Sequence, residues 1–366
     1  MLKRLHLKNF TVFADANFEF GPGLNVLVGT NGTGKSHVLK LGYAIELTRF
    51  DISKDFTSER LGESGTSAMA WTTILQRVLP GIFLSARTEP LIRWNSGDQA
   101  VIEIDFGAGD QLELYLAASD WGDGRRMDTL GHISGMATSV DVLKPIFIPA
   151  KEILTLSWIL PASEQLVAPI EKNYIDLLGQ LRLLPLRKPE AALAIQRLTE
   201  VLDGEVQEEG DKYFLVDKTG RRVAISMVAE GLRKFGTLQK LLANGSLTKG
   251  NTLFWDEPEA NLNPALLQKL AAILAELARQ GFQIILATHS TDLLKEFHIL
   301  SRQKDVEPLS IKYFGLNASP GEATTVVTTD NFEYLPDVVA LEVELEQADN
   351  LDEIFAREDR ERHAKL

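Results

Sequence analysis

The chain has 366 residues, a hydrophobic fraction of 45%, no cysteine and a formal net charge of −13. That length and apolar content support one large or two ordinary domains with a sizeable buried core, while the missing thiols exclude disulfides, a cysteine nucleophile, iron–sulfur clusters and thiolate zinc sites. The acidic balance argues against wholesale wrapping of nucleic acid, although a local basic patch would survive it; no window approaches the ~18 consecutive apolar residues of a membrane span, and the start Met1 to His6 lacks a signal-type apolar core, which places the protein in the cytoplasm with no membrane partner.

Residues Leu2 to Phe10 alternate apolar and polar side chains, the period of a half-buried strand, and Asn17 to Phe20, closed by Gly21-Pro22-Gly23, reads as its antiparallel partner. Phe13, between them, fits either adenine stacking or an ordinary core position. The apolar run Leu24 to Val28 then meets Gly29-Thr30-Asn31-Gly32-Thr33-Gly34-Lys35-Ser36, a full G-x-x-x-x-G-K-[ST] match that opens into Val38-Leu39-Lys40-Leu41. Strand, glycine loop and helix in this order form a concavity of backbone N–H groups that suits a phosphate chain. Lys35 is expected to reach the β- and γ-phosphates of ATP, and the Ser36 hydroxyl to ligate Mg²⁺.

Residues 51–70 are polar and rich in Ser, Thr, Glu and Gly, which predicts a mobile surface loop. Three strands at Leu91 to Trp94, Ala100 to Phe106 and Gln111 to Leu116 should form an antiparallel meander, with turns at 95–98 and 107–110. Pro145 to Pro149 encloses a short buried strand of a central sheet. From residue 151 the pattern is helical, with helices around Asn173 to Leu178 and Glu190 to Leu202 separated by Pro161, Pro169, Pro185 and Pro189; a hairpin at 212–216 and 222–226 follows. The insertion is too short for a long coiled coil.

Thr252 to Glu257 is an apolar strand ending in two carboxylates. A strand-end Asp256 would hold Mg²⁺, and Glu257 would polarise the water that attacks the γ-phosphate. Adjacent strand residues face opposite sides, so Glu257 needs to lie at the strand's C-terminal edge, where open α/β sheets bind ligands. A helix from Pro264 to Arg279 leads to Phe282 to Ala287, a run typical of a doubly covered parallel strand, and this ends in Thr288-His289-Ser290. His289 is assigned a γ-phosphate-sensing role.

The order of phosphate loop, long insertion, Asp-Glu strand, Glu259-Ala260-Asn261-Leu262-Asn263-Pro264 and His289 resembles ATP-binding-cassette ATPases. Asn9-Phe10 and the Asp-Glu-Pro-Glu block look more specifically like the branch of chromosome-maintenance, double-strand-break-repair and overcoming-lysogenization-defect ATPases, whose stand-alone bacterial members often belong to antiphage defence systems. The resemblance covers residues 1–50 and 222–316. It implies an α/β ATPase head with a mixed central sheet, an antiparallel β subdomain and a helical insertion. The implied units are an N-terminal lobe 1–150, the insertion 151–212, a C-terminal lobe 213–330 and an acidic tail 331–366 with eleven Asp or Glu against four Lys or Arg. The second half of that tail, through Phe355, reads as either an amphipathic helix that docks on a partner or a solvated terminus.

In the resembling class a signature segment at a helix N-terminus caps the γ-phosphate held by a second subunit, which implies a homodimer around two ATPs. Here the matching residues are Ala229, Glu230 and Gly231, with alanine in place of the signature serine unless Ser226 serves in a shifted register. Gln76 is the candidate for the Q-loop glutamine. The resemblance implies control of a separately encoded effector, such as a nuclease, or of DNA; no clustered acidic nuclease site is visible after His289, and the pairs Arg125-Arg126, Arg221-Arg222 and Arg233-Lys234 could line a DNA groove. A DNA-repair ATPase is the alternative, and a transporter motor subunit fits less well with Asn9-Phe10 and the long insertion.

Overall fold

The computed structural model describes residues 1–335 apart from 56–65, 86–88, 95, 96, 98, 108, 121–125, 131–141, 166–168, 211 and 305, together with 350, 354 and 355. Strands β1 (Arg4–Phe10), β2 (Phe13–Glu19) and β3 (Leu24–Gly29) lead into helices α1 (Lys35–Asp55) and α2 (Thr66–Phe83). Strands β4 (Gln99–Asp105), β5 (Gln111–Asp120), β6 (Arg126–Leu130) and β7 (Ile146–Ile148) precede helices α3 (Ile159–Gln165), α4 (Lys172–Leu181) and α5 (Ala192–Leu202). Next come β8 (Glu205–Glu209), β9 (Lys212–Val216), β10 (Arg222–Ala224) and α6 (Glu230–Ala243). The chain continues through β11 (Thr252–Asp256), α7 (Pro264–Arg279), β12 (Gln283–Thr288), α8 (Thr291–Ser301), β13 (Ile311–Asn317) and β14 (Thr325–Thr329).

The apolar runs form a six-stranded sheet in the order β14-β13-β3-β12-β11-β7, parallel except for the antiparallel edge strand β14. Crossover connections cover both faces of such a sheet, so its strands are apolar on both sides. In β11, Phe254 enters one core with Leu27, Phe147, Ile285 and Phe314, while Leu253 and Trp255 enter the other with Val26, Ile146, Ile284 and Leu286. The first core is closed by α1, α2 and the antiparallel sheet β2-β1-β4-β5-β6; the second holds residues of α4 to α8 and of the small sheet β10-β9-β8.

Several expectations need correction. Residues 51–55 complete α1, and α2 begins at Thr66, because Ile52 and then Ala70, Trp71, Ile74, Leu75, Val78 and Leu79 give both segments a buried stripe. Residues 56–65 of that expected loop lie outside the described residues. Leu91 to Trp94 is no strand: Glu89–Leu91 is a 3₁₀ turn, and only Ile92 bridges Phe10. The meander is continuous with the N-terminal hairpin through β1–β4 pairing. Pro161 lies inside α3, at the third helical residue, where its missing N–H has no intrahelical partner to lose. The expected hairpin gains a third strand, β8, and its last strand stops at Ala224. The acidic tail helix through Phe355 falls almost wholly outside the described residues, as does Arg125 of its basic pair.

Asn25 fixes the approach to the phosphate loop. Fully buried in β3, it accepts from the Gly21 N–H at 2.7 Å and donates to the carbonyls of Gly21 and Gly23, each at 3.1 Å, and of Ile284 at 3.3 Å. Replacing it by leucine strands these backbone groups without water, at ~1–3 kcal/mol for each group left unpaired. We expect Asn25→Leu to lose about 2–4 kcal/mol of unfolding free energy, measured by urea denaturation; an unchanged midpoint would contradict the account of this turn.

Candidate active site

Parallel register sets the site. Val28 lies opposite Thr288, Ala287 opposite Asp256, and Gly29 opposite Leu316, so the segments after β3, β11 and β12 leave the sheet at one edge. At that edge residues 29–36 form the glycine loop, with Gly32 and Gly34 in the left-handed region at φ 84° and 91°. A Cβ at Gly34 would stand 2.5 Å from Val12 Cγ2 and 2.8 Å from Phe13 Cζ, so the loop rests directly on the β1–β2 turn. Phe13 is therefore a support: it is fully buried and meets Phe18 edge-on at 5.8 Å. Adenine stacking is ruled out for it.

Lys35 donates to the carbonyls of Gly29 and Thr30, both at 2.8 Å. Burial lowers the pKa of its ammonium, and the carboxylates of Glu257, Asp256 and Glu259 oppose that shift. Thr33 closes the loop by donating to the Thr30 carbonyl at 2.9 Å, while Thr30, Asn31 and Gly32 are exposed.

Asp256, the last residue of β11, has a carboxyl whose pKa is raised by burial, against the lowering effect of a hydrogen bond with the Ser36 side chain. This contact puts two protein oxygens together beside the phosphate loop. A pair of that kind, completed by phosphate oxygens and water, suits Mg²⁺, which rarely takes an all-protein cage. Glu257 continues the ladder by donating its N–H to Ala287 O at 2.9 Å, then turns left-handed at φ 46°. The strand thus ends between the two acids. Glu257 Oε1 lies 3.5 Å from Nδ1 of the half-exposed His289. Tyr174 of α4 also approaches: burial pushes its phenol up to about 12, with Glu171 and Asp256 adding to the shift.

Ala229 occupies the N-cap of α6 without a side-chain cap, and it and Glu230 are exposed. Ser226 belongs to a separate 3₁₀ turn over Ile225–Met227, so it cannot stand at the helix N-terminus. Gly231 is packed against the segment after the acidic pair, since a Cβ there would lie 2.7 Å from Asn261 O. Gln76 lies on the exposed face of α2. Lys234, expected with Arg233 to line a DNA groove, is instead buried behind the acidic pair, as is Glu259, and Arg233 is engaged by Glu152, so this pair offers no groove surface. Lys234 carries a legible signal: it falls on the buried stripe of α6 with Gly231, Phe235 and Leu238, where a lysine is out of place.

A family model described as "AAA domain, putative AbiEii toxin, Type IV TA system" matches residues 92–295, and a second AAA-domain model matches residues 4–69. The chain belongs to the first family. Among curated proteins similar to this AAA-domain ATPase, the DNA replication and repair protein RecF of Pediococcus pentosaceus is 50% identical over 48 residues, 13% of each chain. The Old nuclease of Escherichia phage P2 is 39% identical over 56 residues, 15% of this chain and 10% of the nuclease. The chain thus matches only about an eighth of the RecF protein's length and a tenth of the nuclease's. An SMC head bound to the C-winged helix domain of ScpA superposes with a TM-score of 0.51 at 16% identity, covering 91% of this chain and 98% of the head. The fold is that of an SMC head, and the chain is an AAA-domain phosphate-loop ATPase with local similarity to RecF and the Old nuclease. No helix among the described residues is long and apolar enough to cross a membrane.

Lys35→Ala should leave no measurable hydrolysis and weaken nucleotide binding at least about tenfold, since it removes the main positive charge the loop offers to phosphates. Phosphate release and binding of a fluorescent nucleotide read the two effects. Unchanged turnover in the purified variant would remove the phosphate-loop assignment.

Proposed function

We propose that this AAA-domain ATPase hydrolyses ATP in a composite site formed by two copies, and that closure of the pair controls a separately encoded effector, such as a nuclease, in bacterial antiphage defence. The observation that carries the reading is the convergence of the phosphate loop, Asp256, Glu257 and His289 at one sheet edge. Lys35 and the loop amides of residues 29–36 bind the phosphates, and Ser36 and Asp256 would hold Mg²⁺, whose charge would help neutralise the phosphate chain. Glu257 orients and deprotonates the attacking water, and His289 contacts the γ-phosphate. The units 1–150, 151–212, 213–330 and 331–366 are proposed as two lobes, an insertion and a tail.

The exposed N-terminus of α6 supports the dimer. Residues Ala229, Glu230 and Gly231 present backbone amides with no side-chain cap, a ready anion site. The effector part draws on the family description, which names a putative toxin, and a DNA-repair role draws on the local likeness to RecF and the Old nuclease.

With ATP and Mg²⁺, Glu257→Gln should give a long-lived dimer in sedimentation, because loss of the base leaves the Mg²⁺ ligand in place. Ala229→Asp should prevent it: aspartate is a favoured N-cap and keeps the helix, but it sets a carboxylate where the second copy's γ-phosphate must sit. A Glu257→Gln protein whose association ignores nucleotide would show that this chain does not close around ATP on its own. The purified protein should also leave DNA uncut in the presence of ATP and Mg²⁺. Cleavage that survives Asp256→Ala would place a nuclease in this chain and overturn the separate-effector reading.

A further inference from the structure

Behind the hydrolytic end of the site lie two buried charges that the proposed chemistry does not use. Lys234, 2% exposed, donates its Nζ to Glu257 O at 2.9 Å. Glu259, 9% exposed, uses Oε1 to accept from Thr288 Oγ1 at 2.6 Å and from the His289 backbone N–H at 3.2 Å, whereas its Oε2 is buried without a hydrogen bond. Burial lowers the pKa of the Lys234 ammonium, and Glu259 is the strongest opposing charge. Ionised groups cost several kcal/mol each to bury, even after relaxation, so hydrophobic residues would fill these positions more cheaply if packing were the only demand.

Each of the two holds a piece of backbone that carries a site side chain. Lys234 fixes the peptide of Glu257, whose left-handed conformation costs on the order of 1–3 kcal/mol and persists only where its surroundings determine it. Glu259 fixes the turn from which His289 projects. Lys234 also sits one turn into α6, three residues beyond Gly231, and Glu230 at the head of that helix accepts from Asn261 Nδ2 at 2.9 Å. Helix α6 therefore grips the 257–261 segment at two points.

We propose that Lys234 and Glu259 are positioning residues that couple the N-terminus of α6 to Glu257 and His289 within one chain. Contact of α6 with a second copy's nucleotide is transmitted through the Lys234 ammonium to the Glu257 carbonyl, and Glu259 keeps His289 in register with it. This rests on the reading that the chain hydrolyses ATP.

A kinetic cycle tests the coupling. Glu259→Ala should lower kcat about tenfold with the nucleotide Kd within about twofold, the pattern of an interaction used only in the transition state. Because Glu259 acts through His289, the same substitution in a His289→Ala background should change kcat by less than about twofold. Glu259→Gln retains an oxygen that accepts from Thr288 and should recover most of the rate. Lys234→Met should lower kcat while nucleotide binding is retained. If Glu259→Ala fails to fold, Thr288→Val, which removes the hydroxyl that donates to Glu259 and accepts from the Ser290 N–H, enters the cycle in its place. Equal fractional losses in both backgrounds, or a fall in kcat matched by weaker nucleotide binding, overturn the coupling alone. A wild-type chain that hydrolyses no ATP overturns the functional reading and the coupling together.

Discussion

With Val28 opposite Thr288 and Ala287 opposite Asp256, three parallel strands release their following segments at the same level, and this register does more for the site than any single contact. A slip by one residue would turn every side chain of a strand to the other face. Phe254 would leave its core for that of Leu253 and Trp255, and the mismatch of both cores locks the alignment. The glycine loop, the acidic pair and the His289 turn therefore meet without any interaction among themselves having to bring them together.

The register also concentrates charge, part of it buried, at one edge of the sheet. Burial disfavours the charged forms of Lys35, Lys234 and Asp256 alike, and the opposite charges of the cluster partly offset it. Lys35 is stabilised by Glu257, Asp256 and Glu259, and Lys234 by the same three acids and Glu230. Such an arrangement of fixed charges, partly withdrawn from water, acts more strongly on an anion or cation brought beside it than the same charges would in bulk solvent.

The parts of this arrangement that were legible in the sequence are those whose physics is local. A glycine loop between a strand and a helix, an apolar strand ending in Asp256-Glu257, and an apolar run ending in Thr288-His289 each occupy about ten residues. The parts that escaped depend on a pairing or packing partner rather than on their own residue pattern. Strand β8 has the polar sequence Glu-Val-Gln-Glu-Glu and is a strand because β9 pairs with it. The β1–β4 pairing joins residues about a hundred positions apart. The segment 51–70 misled through composition: its polar middle masks two helices whose buried stripes lie on either side, at Ile52 and from Ala70 onward. Glu259 was visible only as one member of an acidic block, because its partners Thr288 and His289 lie on the next strand.

The alanine at the head of α6 takes on a different weight once its surroundings are known. A serine hydroxyl there would add one donor to the amides that face an anion, but the value of such amides depends on how firmly they are aimed. Arg233 supplies that firmness. Its guanidinium donates to Val228 O at 2.8 Å, to Ser226 O at 3.1 Å and to Glu152 Oε2 at 3.2 Å. Glu152 in turn accepts from the N–H groups of Leu154 and Thr155 just beyond β7. The turn before Ala229 is thus fastened through one arginine to the segment that follows β7, the strand beside β11 in the central sheet. Three charge-assisted or carbonyl contacts on a planar, rigid fork fix the turn in a way one hydroxyl could not, so the chain entering Ala229 is held in place from the turn that precedes it.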